Sequence, residues 1–332
     1  MFSKLFIASA TLVAFSASVA VADAQAGVPR PMQARAWRAV TTPLLLPGTC
    51  KAPVVLISDE NLLLVNFYEQ HGKGTQPCYV MNFHDGLGGI PGGLFVDRRN
   101  NLYVGRGRVY DRGEVLRYRP PYTGTPTRVC TTVTGFPWGL AVDDAGTVYA
   151  GDYGGYTNLQ DEFTRCAHGR SNQIVDPNLD DGSGPGSQFF FTTDAKGNLF
   201  DDGWDSNQVL LVDESTDGGV TWTKLQNLGP QRYPGGIEVG RDGNLYINDD
   251  GRFGSAGMMD VVPPPYTGNP TQLFSYQTND TPIALTPGQK RVWSIANQTQ
   301  GVEYDIATGN VVATTATLSE GIGIATIPSD AP

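Results

Sequence analysis

Histidine and cysteine are scarce in this chain, three and four among 332 residues, and neither forms a reactive pattern. His71, His84 and His168 make no H-E-x-x-H helix and no close metal-ligating pair. Cys50, Cys78, Cys130 and Cys166 include no C-x-x-C, which argues against a structural zinc or a thioredoxin-like redox site. No G-x-S-x-G elbow stands between a strand and a helix, since GSGPG at 182–186 lacks that setting. Long runs of Ala, Leu, Glu and Lys are missing, so extended helices are not expected. Basic residues are also in deficit, 23 Lys and Arg against 33 Asp and Glu, for a net charge of −10. That excludes the basic surface that nucleic acid or an anionic membrane needs. After residue 24 no segment is apolar enough to span a bilayer.

The first 24 residues read as an export signal. Lys4 gives a positive start, and Leu5–Ala20 is uncharged and rich in Ala and Ser. It is shorter than the ~20 strongly apolar residues of a membrane span. Ala22-Asp23-Ala24 offers a cleavage site before Gln25, with Ser18-Val19-Ala20 as the alternative. No Cys follows the cut to carry a lipid. The expected location is therefore secreted or periplasmic. Four cysteines fit that setting as two disulfides. Three connectivities are open, and pairing of sequence neighbours would join Cys50 to Cys78 and Cys130 to Cys166.

Glycine (41) and proline (23) are abundant, as in folds made of many short strands and turns. A phrase recurs: Pro-x-Gly-apolar-x-Val, a polar turn, then apolar-Tyr. It reads PGGLFVDRRNNLYVGR at 91–106, PWGLAVDDAGTVYAGD at 137–152 and PGGIEVGRDGNLYIND at 234–249. Looser copies are SQFFFTTDAKGNLFDD at 187–202 and TPIALTPGQKRVWSIA at 281–296, with a half-copy EGIGIATIP at 320–328. The anchors Gly93, Gly139, Phe190, Gly236, Ile283 and Gly323 are separated by 46, 51, 46, 47 and 40 residues, the length of a propeller blade. Period-two alternation marks half-buried strands, and the Gly-containing turns suit tight hairpins.

The last copy has an inner strand with nothing after it. Residues 54–68 and 78–83 resemble strands two to four of a blade with no inner strand before them. The economical solution is an all-β, six-bladed propeller over residues 50–332, closed when the C-terminal strand completes the first blade. Residues 25–49 form an extended lead-in. These phrases resemble the NHL-type six-bladed propellers and, more loosely, the gluconolactonase-like propellers. Ser215–Trp222, STDGGVTW, resembles the Asp-box hairpin of sialidases, a fold element whose Asp217 would bond turn backbone while Trp222 packs beneath it.

In such a ring, the loops leading into inner strands share one face with the loops between second and third strands. On that face the register places His84, Trp138, Asp152, Trp204, Asp205, Asp249, Asp250, Asn297 and Glu320, with Asp85, Arg106, Arg108, Tyr110, Tyr153, Tyr156, Asp202, Arg252 and Gln298 nearby. Aromatics beside carboxylates suit a small molecule, a glycan or a protein ligand, and neighbouring carboxylates suit a divalent cation such as calcium. Asp97, Asp143 and Asp194 fall on the other face as turn residues. Glu238 stands within an inner strand where other blades carry apolar or small residues, and together with Glu320 is a candidate acid at the channel mouth. DPNLDDGSG at 176–184 is similar to calcium-binding acid loops without the full EF-hand frame, and reads as a polar loop.

The gluconolactonase resemblance implies a metal held by an acid before the first inner strand, a position Glu320 matches. The Asn-Gly expected before a later strand is replaced by Trp138-Gly139 or Gly235-Gly236. Two functional classes follow from these residues. One is a monomeric binding module. The other is a metal-assisted hydrolase or lyase using Glu320, Asp205 and Asp250. Tyr122 and Tyr266, in the near-copies PPYTGTPTRV (120–129) and PPYTGNPTQL (264–273), are expected at the blade edge, packed there or exposed to a partner.

Overall fold

The computed structural model describes residues 45–329, except 71–74, 85–88, 108–111, 134–135, 154–161, 180–187, 206, 208, 231, 251–256 and 277–278. The expected signal, the lead-in up to residue 44, and Asp85, Arg108, Tyr110, Tyr156 and Arg252 lie outside the described residues, as do the side chains of Asp152 and Tyr153. The propeller belongs to the compact unit Ala36–Pro332.

The described chain is all strand and turn. Strands β1 (Val54–Asp59), β2 (Leu64–Glu69) and β3 (Tyr79–Asn82) begin the first blade. Blade two holds β4 (Ile90–Val96), β5 (Leu102–Gly107), β6 (Glu114–Tyr118) and β7 (Thr127–Thr131). Blade three holds β8 (Phe136–Val142), β9 (Val148–Tyr153), β10 (Glu162–Ala167) and β11 (Arg170–Val175). Blade four holds β12 (Gln188–Thr193), β13 (Leu199–Trp204), β14 (Val209–Ser215) and β15 (Thr223–Pro230). Next come β16 (Pro234–Val239), β17 (Leu245–Asp249), β18 (Met258–Val262) and β19 (Thr271–Ser275), then β20 (Asp280–Leu285), β21 (Arg291–Ala296), β22 (Gln300–Asp305) and β23 (Val311–Thr317). The last strand, β24 (Gly321–Ile327), returns to blade one and pairs antiparallel with β1, Val54 opposite Ile327 and Leu56 opposite Ala325. Six four-stranded antiparallel sheets result, as the repeat and its split first unit predicted.

Each blade buries both faces against its neighbours. In β5, Leu102 and Val104 join Leu56 and Phe67 of blade one, while Tyr103 joins Leu140 and Val148 of blade three. Alternation therefore separates two interblade cores and does not divide core from solvent, so few polar side chains are tolerated inside a strand. The innermost strands approach closely near the axis. A Cβ on Gly93 would overlap the Trp138 carbonyl oxygen, and one on Gly323 would overlap that of Gly92. This crowding explains the glycine in the repeated phrase.

Asp97, Asp143 and Asp194 are turn residues, as expected. Asp97 Oδ1 accepts from the Arg99 and Asn101 amides, Asp143 Oδ1 from Thr147, and Asp194 Oδ1 from Lys196 and Asn198. Tyr122 and Tyr266 are buried, which corrects the possibility of exposure. Their hydroxyls donate to Asn100 and Gly243 carbonyls at 2.7 and 2.9 Å, tying the outer turn of a blade to its inner turn. Disulfides join Cys50 to Cys78 and Cys130 to Cys166, the second linking β7 to β10 across neighbouring blades. Among the described residues no helix is long and apolar enough to cross a membrane.

The turn after β14 is organised by Asp217. Its carboxylate accepts from the Val220 and Thr221 amides and from the Ser215 and Thr221 hydroxyls. The slight burial of this group favours the neutral acid, but these bonds outweigh it and hold the carboxyl below its ordinary value. Trp222 packs edge-on against Phe163 of blade three, ring centres 5.7 Å apart.

Two predictions follow from this packing. Gly93→Ala should destabilise the fold by about 1–3 kcal/mol through overpacking, read as a lower urea midpoint. Burial first, and nearby carboxylates second, push the Tyr68, Tyr103, Tyr149 and Tyr266 hydroxyls up to about 12. The fold therefore favours the neutral rings. Their contribution is intact below the unfolded value of about 10 and should be lost as pH climbs toward 12, seen as a falling Tm that tracks tyrosinate absorbance.

Candidate functional site

The register fixes one face of the ring. Pro234 of β16 lies opposite Asp249 of β17, and Pro137 of β8 opposite Asp152 of β9. The start of each inner strand and the end of each second strand therefore share that face. At the centre of the ring the inner strands line an open pocket. Leu94, Phe95, Trp138, Phe191 and Ile237 contribute to its wall, which exposes about as much polar as apolar surface, and Glu238 is the one carboxylate among the described residues lining it.

Glu238 explains its own position. The inner edge of each innermost strand has no partner strand, so its amides need other acceptors. Glu238 Oε2 accepts from the Leu285 amide of the next blade at 2.7 Å. One blade earlier, Thr192 Oγ1 accepts from Val239 at 3.1 Å in the same way. Glu238 thus lines the channel and also caps the neighbouring strand.

The predicted face residues separate into groups. Trp204, Asp249 and Asp250 come together at the junction of blades four and five, around Arg232 and Tyr233. Arg232 Nε donates to Asp249 Oδ2 at 2.8 Å and its Nη2 to Asp260 Oδ2 at 2.6 Å. The Tyr233 amide donates to Asp249 Oδ1, and the Asp250 amide donates to the Tyr233 carbonyl. Trp204 Nε1 donates to the Arg232 carbonyl, and its buried ring meets Tyr233 edge-on at 4.3 Å. Asp205 accepts from the Asn207 and Val209 amides, closing its own turn.

Elsewhere on this face, Asn297 is exposed with φ of 48° beside Gln298, whose carbonyl accepts from the Gly321 amide next to Glu320. Glu320 Oε2 accepts from Asn61 Nδ2 at 3.0 Å. Burial first, then the charge of Glu320, raises the Glu60 carboxyl. Asp59 accepts from the Leu62, Ser319 and Glu320 amides. His84 is exposed and donates from Nε2 to the Leu62 carbonyl at 2.9 Å. Trp138 is half-buried against the core of blades four and five and faces the cavity.

Asp202 is fully buried inside blade four, facing blade five. It accepts from the Phe190 amide at 3.1 Å and the Gly236 amide at 3.1 Å. Burial pushes its carboxyl up to about 8 against these two donors.

Among the described residues, the acids that converge lie elsewhere. Asp176, Asp201 and Asp213 each place an oxygen within 4.8 Å of the other two, and all three are buried. An Asp trio of this kind can hold a metal ion. Sequence reading treated Asp176 as part of a polar loop and missed the other two. The available signal was Asp201, which occupies the strand position held by Val104, Ala150 and Ile247 in other blades.

No family model matches the chain, and no curated protein matches it in sequence. Solved structures do match its fold. TolB from Acinetobacter baumannii is similar with a TM-score of 0.59 at 8% identity, over 82% of this chain and 66% of that longer one. A gluconolactonase from Xanthomonas campestris gives 0.52 at 14% identity, covering 85% and 90%. A putative 6-phosphogluconolactonase from Bacteroides fragilis gives 0.53 at 12%, covering 85% and 99%. Likeness at these identities establishes the propeller fold alone.

If Glu238 caps Leu285, Glu238→Ala should cost about 1–3 kcal/mol by leaving that amide unsatisfied, and Glu238→Gln, which keeps an acceptor, should cost less than half as much. Urea unfolding of both variants measures the difference.

Proposed function

We propose that this chain is an exported binding propeller that seats a small molecule at the mouth of its central channel. The observation that carries this reading is the central pocket itself, a concave site where Trp138 and aliphatic side chains stand beside the carboxylate of Glu238. Trp138 supplies the aromatic surface. His84, Asn297 and Glu320 are the candidate polar rim on that face, while Trp204, Asp205, Asp249 and Asp250 are held in the scaffold by the bonds described above. Glycans and protein surfaces are the other ligands such a rim can meet. Two disulfides support an oxidising, secreted or periplasmic setting, and a calcium ion, in this reading, serves the scaffold and not a reaction.

A second reading, a metal-assisted hydrolase acting on lactones, is favoured by the pair Glu60 and Glu320 on the same face. Its Asp205 and Asp250 sit in other blades and already close turns or pack inside. Lactonases among proteins of similar fold give it a prior by analogy.

Intrinsic fluorescence of the purified chain, titrated with a panel of sugars, sugar lactones and small aromatics, separates the two. Binding predicts a saturable change that Trp138→Ala removes, with the compound recovered intact. Hydrolysis of a lactone, lost in Glu320→Gln, would overturn the binding reading.

A further inference from the structure

The most unusual chemistry in the ring lies away from the channel, at the boundary of blades three and four. Asp201 of β13 and Asp213 of β14 are directly opposed on one sheet face. The same rung carries Ile57 opposite Asn66 in blade one and Val104 opposite Leu116 in blade two, and no other blade opposes two acids there. Asp176, one residue beyond β11, brings a third carboxylate across from blade three. All three residues are 0% exposed.

Such an arrangement is unfavourable by itself. Like charges opposed across a strand pair destabilise it, and a buried carboxylate needs a compensating partner. Asp213 lacks one. Neither of its oxygens is reached by a hydrogen bond of ordinary geometry. Asn178 and Asp176 come near enough to oppose the upward push of burial on its carboxyl without meeting that geometry. The charge of Lys224, its partner residue on β15, also opposes that push, but Lys224 is exposed to solvent and makes no described ion pair with Asp213. The unpartnered, buried carboxylate of Asp213 is a second observation beside the cluster. A positive charge at the point where the other two acids converge would compensate it.

We propose that Asp176, Asp201 and Asp213 form a buried calcium site that fastens the segment leaving blade three to blade four. Donors that are all carboxylate oxygen select a hard cation. Three carboxylates offer six oxygens, the lower end of what calcium takes at 2.3–2.6 Å. Magnesium, which keeps several waters, suits a fully buried pocket less well. Asp176 also accepts from the Asn178 amide at 2.8 Å, which is compatible with metal binding because a carboxylate oxygen has more than one lone pair. The site is independent of the channel ligand, so it stands or falls separately from the binding reading.

The test uses the full chain, stripped with chelator and then titrated with calcium, magnesium or manganese. Saturating calcium should raise Tm by about 5 °C, and magnesium should do so more weakly. Elemental analysis should find about one calcium per chain. Asp213→Asn should abolish the calcium response while the stripped variant melts no lower than stripped wild type, since it loses a repulsion. If Asp213→Asn fails to fold, Asp201→Asn and the metal content of wild type decide the matter. No bound metal and no shift with any of the three ions would overturn the proposal. So would a shift that survives in the variants, which would put the ion elsewhere. A stripped protein that gains stability in acid and ignores metal would show that the trio holds protons, and would overturn it too.

Discussion

The pairing of β24 with β1 is the contact on which the ring depends. It sets a strand from the far end of the chain against the first, with Ser58 Oγ accepting from the Gly323 amide at 2.7 Å beside the backbone ladder. Without it, blade one would lack its inner strand and blade six would expose an apolar face. With it, every blade is enclosed on both sides and open edges face only the axis and the rim.

Enclosure governs where polar groups can stand. Turn acids such as Asp97 and Asp205 are satisfied by adjacent amides, and this makes them fixed parts of the scaffold. Inside the blades, Asp202 is answered by two amides and Asp249 by Arg232. Glu238 and Thr192 satisfy the amides that the central opening leaves bare. Against these satisfied acids Asp213 stands out, because neither of its buried oxygens meets a hydrogen bond of ordinary geometry.

The architecture was legible because it repeats. Period-two strands, glycine where inner strands crowd and a constant blade length all report the same ring, and the split first unit reports its closure. The face residues were harder to read. An Asp at the end of a second strand looks the same in sequence whether it binds a ligand, closes a turn like Asp205 or pairs with an arginine like Asp249. The Asp176, Asp201 and Asp213 cluster was hidden for a different reason. Its members are brought together by strand pairing and by a crossing between blades, and only the misfit of Asp201 with its counterparts in other copies betrays it. Tyr122 and Tyr266 were ambiguous because their duplicated turns look exposed, whereas positive φ values of 67° and 68° fold them inward.

Closure by the last strand also sets an order of events. Val54 waits for Ile327, so the loop to be closed is almost the whole domain, and its entropy is met only once the final strand is available. Blades two to six are each made of consecutive strands and can assemble as the chain emerges. Blade one cannot. Until β24 is available the growing chain is therefore an open arc with two unsealed ends. The ring becomes a single cooperative object only when β24 pairs with β1.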